Sequence, residues 1–381
     1  MATPWQPHAN AIIKLFFNKH VKNVATHHNG KGLQDGIDFV TLVHLIRNLA
    51  ESRYPLKCAL EAIVSVGIWP NARVNSIRPE ASAKCDRCGH PHEDDFHLYW
   101  GCPSNAYIED ETVAKTQELR GEAIRQYEAL PCLWLRGIPP SSFTEIHPAH
   151  APSDSLHMSN INPQSSWQSG TYSGDASGGP NANYPCIRRI GCGLAAINDM
   201  GELLHGAKCN LPGAVQAIPR GELFCVVVLA GLAERGATID FLTDNEGPYN
   251  SYSQGPDYCL KSSNCDLYKT FCRVSNIKQL SVSIRWMPSH LLEKQTKGVY
   301  SCMTSLDILG NDQAGKLAGR AAEVHLVDGV AASNHKDRVN LFKRIQLRLA
   351  TIITTLPKRP TPTQAPALPP KLSITNKLMK S

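Results

Sequence analysis

Three acidic residues, each set against an apolar run, constrain this chain more tightly than any other feature of it. Asp175 stands in Tyr-Ser-Gly-Asp-Ala-Ser-Gly-Gly, Glu222 in Arg-Gly-Glu-Leu-Phe-Cys-Val-Val-Val-Leu, and Asp244 in Thr-Ile-Asp-Phe-Leu-Thr-Asp-Asn. An acid that opens or ends a hydrophobic segment belongs at the edge of a core, where carboxylates can converge on a divalent cation. Sites of that kind carry metal-dependent phosphodiester chemistry. Each acid also has a plainer reading by itself: an Asp in a Gly-Ser turn shapes the turn, and a Glu at a helix start answers the helix dipole.

The segments around these acids alternate in type. Ile190–Ile197 and Glu202–Leu211, separated by Asn198-Asp199-Met200-Gly201, read as a hairpin. Pro219–Arg235 reads as a helix started by Pro219 and stopped near Gly236. Thr238–Thr243 predicts a buried strand, the region around Leu267–Val274 a helix, Val282–Met287 a strand, and Ser305–Val324 a closing helix. A hairpin followed by helical crossovers makes an α/β fold, a mixed five-stranded sheet flanked by helices.

Taken in order, these words resemble the type 1 ribonuclease H domain. That family has an Asp followed by a small residue and Ser-Gly, then Glu-Leu opening a helix, then Thr-Asp ending a strand. It continues with Trp-x-Pro-x-His, here Trp286-Met287-Pro288-Ser289-His290, and with Gly-Asn-x-x-Ala-Asp-x-Leu-Ala, here Gly310-Asn311-Asp312-Gln313-Ala314-Gly315-Lys316-Leu317-Ala318. Gly315 stands where the family has its fourth acid. The resemblance covers about 150 of 381 residues. It implies a ribonuclease H-like sheet and endonucleolytic hydrolysis of the RNA strand of RNA–DNA hybrids, with two Mg²⁺ (or Mn²⁺) ions as cofactors. Asp175 would bridge both ions, Glu222 would hold the ion on the leaving-group side near the ribose hydroxyl, and Asp244 would complete that shell. His290 would relay protons or help product leave. Asp312, three residues before Gly315 and so on the same helix face, is the candidate to replace the missing carboxylate, with Asp307 a poorer one.

Upstream, Cys85-Asp86-Arg87-Cys88, His97 and Cys102 form a C-x2-C-x8-H-x4-C array within 18 residues. Three thiolates and an imidazole satisfy tetrahedral Zn²⁺ with no open position, which makes the expected site structural rather than catalytic. The neighbouring Glu93-Asp94-Asp95-Phe96-His97 and Cys102-Pro103 look like the zinc-binding segment that follows the reverse transcriptase in non-LTR retrotransposons. That resemblance implies the C-terminal part of such a polyprotein, with a reverse transcriptase as a partner in trans. Nothing in residues 10–68 resembles the Tyr-x-Asp-Asp signature of a polymerase palm.

Residues 10–68 read as helices; the histidines of the N-terminal region, His8, His20, His27, His28 and His44, suggest metal but read more simply as solvated surface residues. Residues 106–130 read as one helix with an exposed charged face, and Pro139–Tyr184 as a linker rich in Pro, Ser, His and Gly, interrupted by the Asp175 segment. The expected organisation is a helical region over 1–80, a zinc-binding module over 81–105, helix and linker over 106–165, the ribonuclease H-like domain over 166–326, and a basic helix with a Pro-rich tail over 327–381.

Net charge is +6, yet residues 334–381 hold ten Lys and Arg against Asp337 alone, so the rest of the chain is slightly acidic. Within that tail, Lys336–Thr354 sets Val339, Phe342, Ile345, Leu349 and Ile352 on one face and Lys343, Arg344 and Arg348 elsewhere. Such a helix either docks on the domain or serves as a phosphate-binding arm. The longest apolar run, Leu223–Ala233, is too short to span a bilayer, and no secretory signal is read, so no membrane partner is expected. Thirteen cysteines, an odd number, argue for reduced thiols inside the cell, and Lys and Arg near Pro357 point weakly to the nucleus. Two rival readings stay open: a nucleic-acid-binding protein of the same fold that has lost catalysis, and a nuclease acting on DNA.

Overall fold

The computed structural model describes residues 23–27, 30–47, 49, 53–162, 167–289 and 303–357. His8, His20 and His28, the Pro-rich tail past Pro357, and His290 lie outside them. His27 is exposed, as a solvated histidine should be.

The first half is helical. Helices α1 (Phe39–Arg47), α2 (Tyr54–Val64) and α3 (Asn71–Ile77) lead into the cysteine array. The helix expected over 106–130 is broken into α4 (Glu111–Lys115) and α5 (Arg120–Gln126), with tight single turns around them. The cause is side-chain competition for the backbone. Asp110 caps a fresh start by accepting from Thr112 N at 2.7 Å, and the Thr116 hydroxyl donates back to the Thr112 carbonyl at 2.6 Å.

The second half is one six-stranded sheet, ordered β1-β4-β3-β2-β5-β6, with β1 Met158–Ile161, β2 Gly170–Ser177, β3 Gly191–Ile197, β4 Leu203–Asn210, β5 Thr238–Thr243 and β6 Ser281–Trp286. The pairs β1/β4, β4/β3 and β3/β2 are antiparallel; β2/β5 and β5/β6 are parallel. Five of these strands are the expected ribonuclease H-like set. The sixth, β1, corrects the reading of 139–184 as linker: Met158 pairs with Cys209 and Ile161 with Gly206. It went unread because only four residues pair, three of them exposed, so no apolar alternation marks them.

Helices cover both faces of the sheet. α6 (Ile218–Leu232), with Pro219 in its first turn, lies on one side with α8 (Cys265–Lys278), after the short α7 (Glu246–Ser253). On the other side lies α9 (Ser305–Val324), opened by a Thr304–Asp307 capping box. Side chains along β2 alternate accordingly. Gly174 and Ala176 face α6, whereas Ser173 and Asp175 face α9.

The chain ends in α10 (Gly329–Thr355), which returns to the helical half. Phe342, Ile345, Leu349 and Ile352 complete one core with Leu33, Ile63, Leu98, Trp100, Leu133 and Trp134. The docking reading of this helix therefore holds for its apolar face. Arg348 is not on an outer basic face but fully buried over the Trp100 ring at 4.7 Å. It donates to the carbonyls of Tyr99 and Val113 at 3.2 and 3.1 Å and to the side chains of Thr116 and Gln117. Arg344, by contrast, lies at the surface beside Glu118.

Arg348→Ala is therefore expected to cost at least about 2 kcal/mol, since four hydrogen bonds from a buried charged donor and the packing over Trp100 are lost together. Arg344→Ala should stay within about 0.5 kcal/mol. Urea unfolding of the two variants side by side checks this, and equal losses would contradict the buried role.

Candidate functional site

β2 runs past the end of β5. The parallel pairing of the two strands stops at Ser173 opposite Leu242, so the backbone of Gly174–Ser177 has no strand on that side. Into the gap come Asp175 from β2, Glu222 from the second turn of α6, and Asp244 from just beyond β5. Their carboxylate oxygens lie within 4.8 Å of one another. The sequence places these three acids tens of residues apart; the fold brings them to one spot.

The spot is tightly furnished. The Ala176 N–H, left over by the missing strand, donates to Asp175 Oδ1 at 2.6 Å and to Glu222 Oε1 at 3.2 Å. Beneath, the Cys225 thiol donates to the Asp175 carbonyl at 3.3 Å, and Trp286 Nε1 donates to the Asp244 carbonyl at 3.2 Å. Glu222 is only 2% exposed. Burial pushes its carboxyl well above the ordinary carboxylate range, and Asp175, Cys225 and Asp244 push the same way. Three carboxylates converging on one spot offer the crowded oxygens that a hard divalent cation takes.

The other expected members stand apart. Asp312 is paired with Lys316 at 2.6 Å and is not in the cluster, although its helix passes over it. Asp307 is committed to the capping box and to Arg285 at 2.9 Å. A Cβ at Gly315 would meet Asp175 Oδ2 at 2.7 Å, so position 315 does overlie the site but offers no oxygen to it.

The sulfur cluster lies in the other half. Cys85, Cys88, His97 and Cys102 also present ligand atoms within 4.8 Å of one another. Cys85 Sγ and Cys102 Sγ are 3.8 Å apart, and Cys88 Sγ is 3.3 Å from His97 Nε2. Cys85 and Cys88 sit on a turn closed by Gly89 N donating to the Cys85 carbonyl at 2.8 Å. His97 and Cys102 bracket a single turn of π-helix, His97–Gly101, whose Leu98, Tyr99 and Trp100 plunge into the helical core. Burial pushes the Cys85 thiol up to about 12. Burial also raises Cys88, but hydrogen bonds from the His90 backbone, Cys102 and Cys85, with the charge of Arg87, bring it below its usual value. Burial and nearby His90 lower His97, which keeps its ring neutral and able to donate a lone pair. Three sulfurs and one imidazole with no open position fit Zn²⁺.

Sequence reading missed the supports around both clusters. Asn71 accepts nothing from the cysteines, yet its amide donates to the Lys84 carbonyl at 2.7 Å and its N–H to buried Glu93, tying α3 to the cysteine turn. Thr243, in the sequence simply the end of a strand, donates its hydroxyl to Glu222 Oε2 at 3.0 Å. Neither has a motif of its own, and only the neighbouring words Trp-Pro-Asn and Thr-Asp mark their places.

No protein-family description matches the chain, and no curated protein matches it. Among solved structures, it is similar to the PFV RNase H domain at 15% identity, over 41% of this chain and 94% of that one, with a TM-score of 0.31. The N-terminal RNase H domain of rv2228c from Mycobacterium tuberculosis, solved as a maltose-binding-protein fusion, shows 15% identity over 41% and 95%, with a TM-score of 0.28. RNase H1 from the halophilic archaeon Halobacterium salinarum NRC-1 shows 11% over 40% and 97%, with a TM-score of 0.27. Likenesses this slight carry no function across. No described helix is long and apolar enough to cross a membrane.

The raised Glu222 carboxyl has a thermodynamic consequence in chelated protein. From its ordinary value of 4.5 upward, the folded state keeps a proton that the unfolded chain has lost. Stability therefore falls as pH rises through that range. Chelated wild type is expected to melt lower at about pH 8 than at about pH 5.5, Glu222→Gln to flatten that slope, and millimolar Mg²⁺ to restore the wild type. Circular dichroism melts across pH test this; a Gln variant that keeps the full slope would show that another group is responsible.

Proposed function

We propose that the chain is a metal-dependent endoribonuclease that cuts the RNA strand of RNA–DNA hybrids. The observation that carries this reading is the convergence of Asp175, Glu222 and Asp244 in the gap beyond β5. In this reading Mg²⁺ or Mn²⁺ supplies Lewis acidity, lowering the pKa of the attacking water and neutralising the leaving oxygen. The protein's own part is to hold oxygens in place. Asp175 accepts from Ala176 N–H at Oδ1, Glu222 is fixed at Oε1 by the same N–H, and Asp244 is steadied through its carbonyl by Trp286. As the resemblance implies, Glu222 would also face the ribose hydroxyl that distinguishes RNA from DNA. His290, outside the described residues, keeps its proposed role in proton relay or product release. In the same reading Cys85, Cys88, His97 and Cys102 hold a structural Zn²⁺, and the whole derives from the C-terminal part of a non-LTR retrotransposon polyprotein that works beside a reverse transcriptase.

A labelled RNA–DNA hybrid with Mg²⁺ or Mn²⁺ should yield RNA fragments, and Asp175→Asn should lower the rate by about a thousandfold or more, since the group meets the reacting centre through the cation. Wild type and variant equally silent in both metals would refute the nuclease. One observation favours a second reading, a binding protein that no longer cuts: Gly315 adds no carboxylate, and Asp312 is drawn to Lys316. Gly315→Asp separates the two. A large gain from near zero would favour the binding reading, whereas a small change means three acids suffice.

For the sulfur cluster, metal analysis of the purified chain is expected to give one zinc per molecule. Cys102→Ser should lose that zinc and expose Trp100, seen as a red shift of its fluorescence, because the ligand sits next to the buried π-turn. A variant that keeps both its melting temperature and its tryptophan spectrum would rule out a structural metal there.

A further inference from the structure

Glu222 is held at both of its oxygens. Ala176 N–H takes Oε1 at 3.2 Å, and the Thr243 hydroxyl takes Oε2 at 3.0 Å. That hydroxyl has one proton and two lone pairs. Asn245 N–H donates to Thr243 Oγ1 at 3.2 Å and so occupies one lone pair, which leaves the proton for Glu222 when that carboxyl is ionised, as it would be with a cation bound. Thr243 is fully buried, which keeps water from competing for either bond. Being β-branched and on a strand, it also has a stiff χ1, so the hydroxyl stays where the backbone puts it.

The placement links two acids that the chain keeps far apart. Thr243 is the last residue of β5 and directly precedes Asp244, while Glu222 is carried by a helix. A free glutamate has three rotatable bonds and, being repelled by Asp175 and Asp244, would turn away from them. Pinned at both oxygens, it cannot.

We propose that Thr243 is a positioning residue for the carboxylate site: by donating to Glu222 Oε2 it holds that side chain toward Asp175 and Asp244 and so raises the affinity of the cluster for a divalent cation. This rests on the metal-site reading above, and it concerns the cation rather than the cleavage step. A purely structural hydroxyl, there only to accept from Asn245, would affect stability and leave cation affinity alone.

The test uses full-length, zinc-replete protein and Mn²⁺, with free ion followed by electron paramagnetic resonance. Glu222→Gln defines the fraction bound at the carboxylates. Thr243→Val is expected to weaken Mn²⁺ binding by about tenfold, in line with the loss of supports to metal-binding side chains. Thr243→Ser, which keeps the hydroxyl, should return it to within about threefold of wild type. A Val variant that melts lower but binds Mn²⁺ as wild type overturns the proposal, as does wild type that takes up no Mn²⁺ at this site. If the Val variant does not fold, Thr243→Cys serves instead, because its thiol fills similar space and donates weakly; wild-type affinity in that variant is the overturning result and affinity below that of the Ser variant the supporting one. Wild type that binds Mn²⁺ with this dependence on Thr243 but leaves hybrid intact would refute the nuclease while the positioning role stands.

Discussion

Ideal Cβ atoms on Gly191 and Gly193 would fall 2.2 and 2.1 Å from the carbonyl oxygens of Ala318 and Ala314, so β3 and α9 touch backbone to backbone. Any side chain at either glycine would force the helix away from the sheet. The contact is lined on the helix side by Ala314, Ala318, Ala321 and Ala322, all buried. Small residues on both partners set a separation that larger cores do not allow, and dispersion gains from close packing offset the poor side-chain burial. This is why α9 reaches the carboxylates. At an ordinary helix–sheet distance, position 315 would lie well clear of Asp175, and whether it carried an acid or a glycine would matter little.

The two halves of the molecule are tied in a different manner. α10 leaves the sheet domain and fills the core of the helical half, so that half is assembled from the beginning and the end of the chain with the sheet inserted between them. Its charges divide by depth. Arg348 satisfies backbone carbonyls around the π-turn that separates His97 from Cys102, whereas Lys343 and Arg344 face outward. A run of basic residues in a sequence thus mixes two physical roles, and only the hydrogen-bond inventory of the surrounding backbone separates them. Contacts of Ile187 with Val327 and Ala332 extend the junction to the turn between β2 and β3.

Much of this was legible where local signals agree with the tertiary environment. Thr238–Thr243 has Ile239, Phe241 and Leu242 buried, and Ser305–Val324 opens on a capping box and repeats small apolar residues at helical spacing; both elements fall on the residues expected. The three acids could be picked out because the words around them stand in the order of a known family, and because Glu222 and Asp244 border apolar runs. β1 could not be read, since an edge strand recruited by pairing with β4 needs no hydrophobic pattern of its own. Nor could the breaks in 106–130, where capping by Asp110 outweighs a charge pattern that suits a continuous helix. Asp312 shows the limit of reasoning by helical face: it shares a face with Gly315, but a lysine four residues on is nearer than the carboxylates are, and the ion pair forms at the surface instead.

Two clusters of potential ligands in one chain raise the question of how each would keep its own ion. The chemistry of the donors answers it without recourse to distance. Oxygen-only sites favour hard cations that retain water, and such a cation binds an open, three-carboxylate gap where solvent can fill the remaining positions. Thiolates favour softer, borderline ions, and a closed set of three sulfurs and a nitrogen leaves no room for water. Burial sharpens the difference. Burial holds the Glu222 carboxyl above its ordinary range, so a divalent ion bound there would have to draw its proton off, a cost that suits weak, exchangeable binding. Cys85, raised by burial in the same way, would give up its proton to an ion that bonds sulfur strongly, and a bond there, beside the π-turn, would become part of the core. One half of the protein would thus hold its metal as a piece of its fold, the other as a reagent it can exchange.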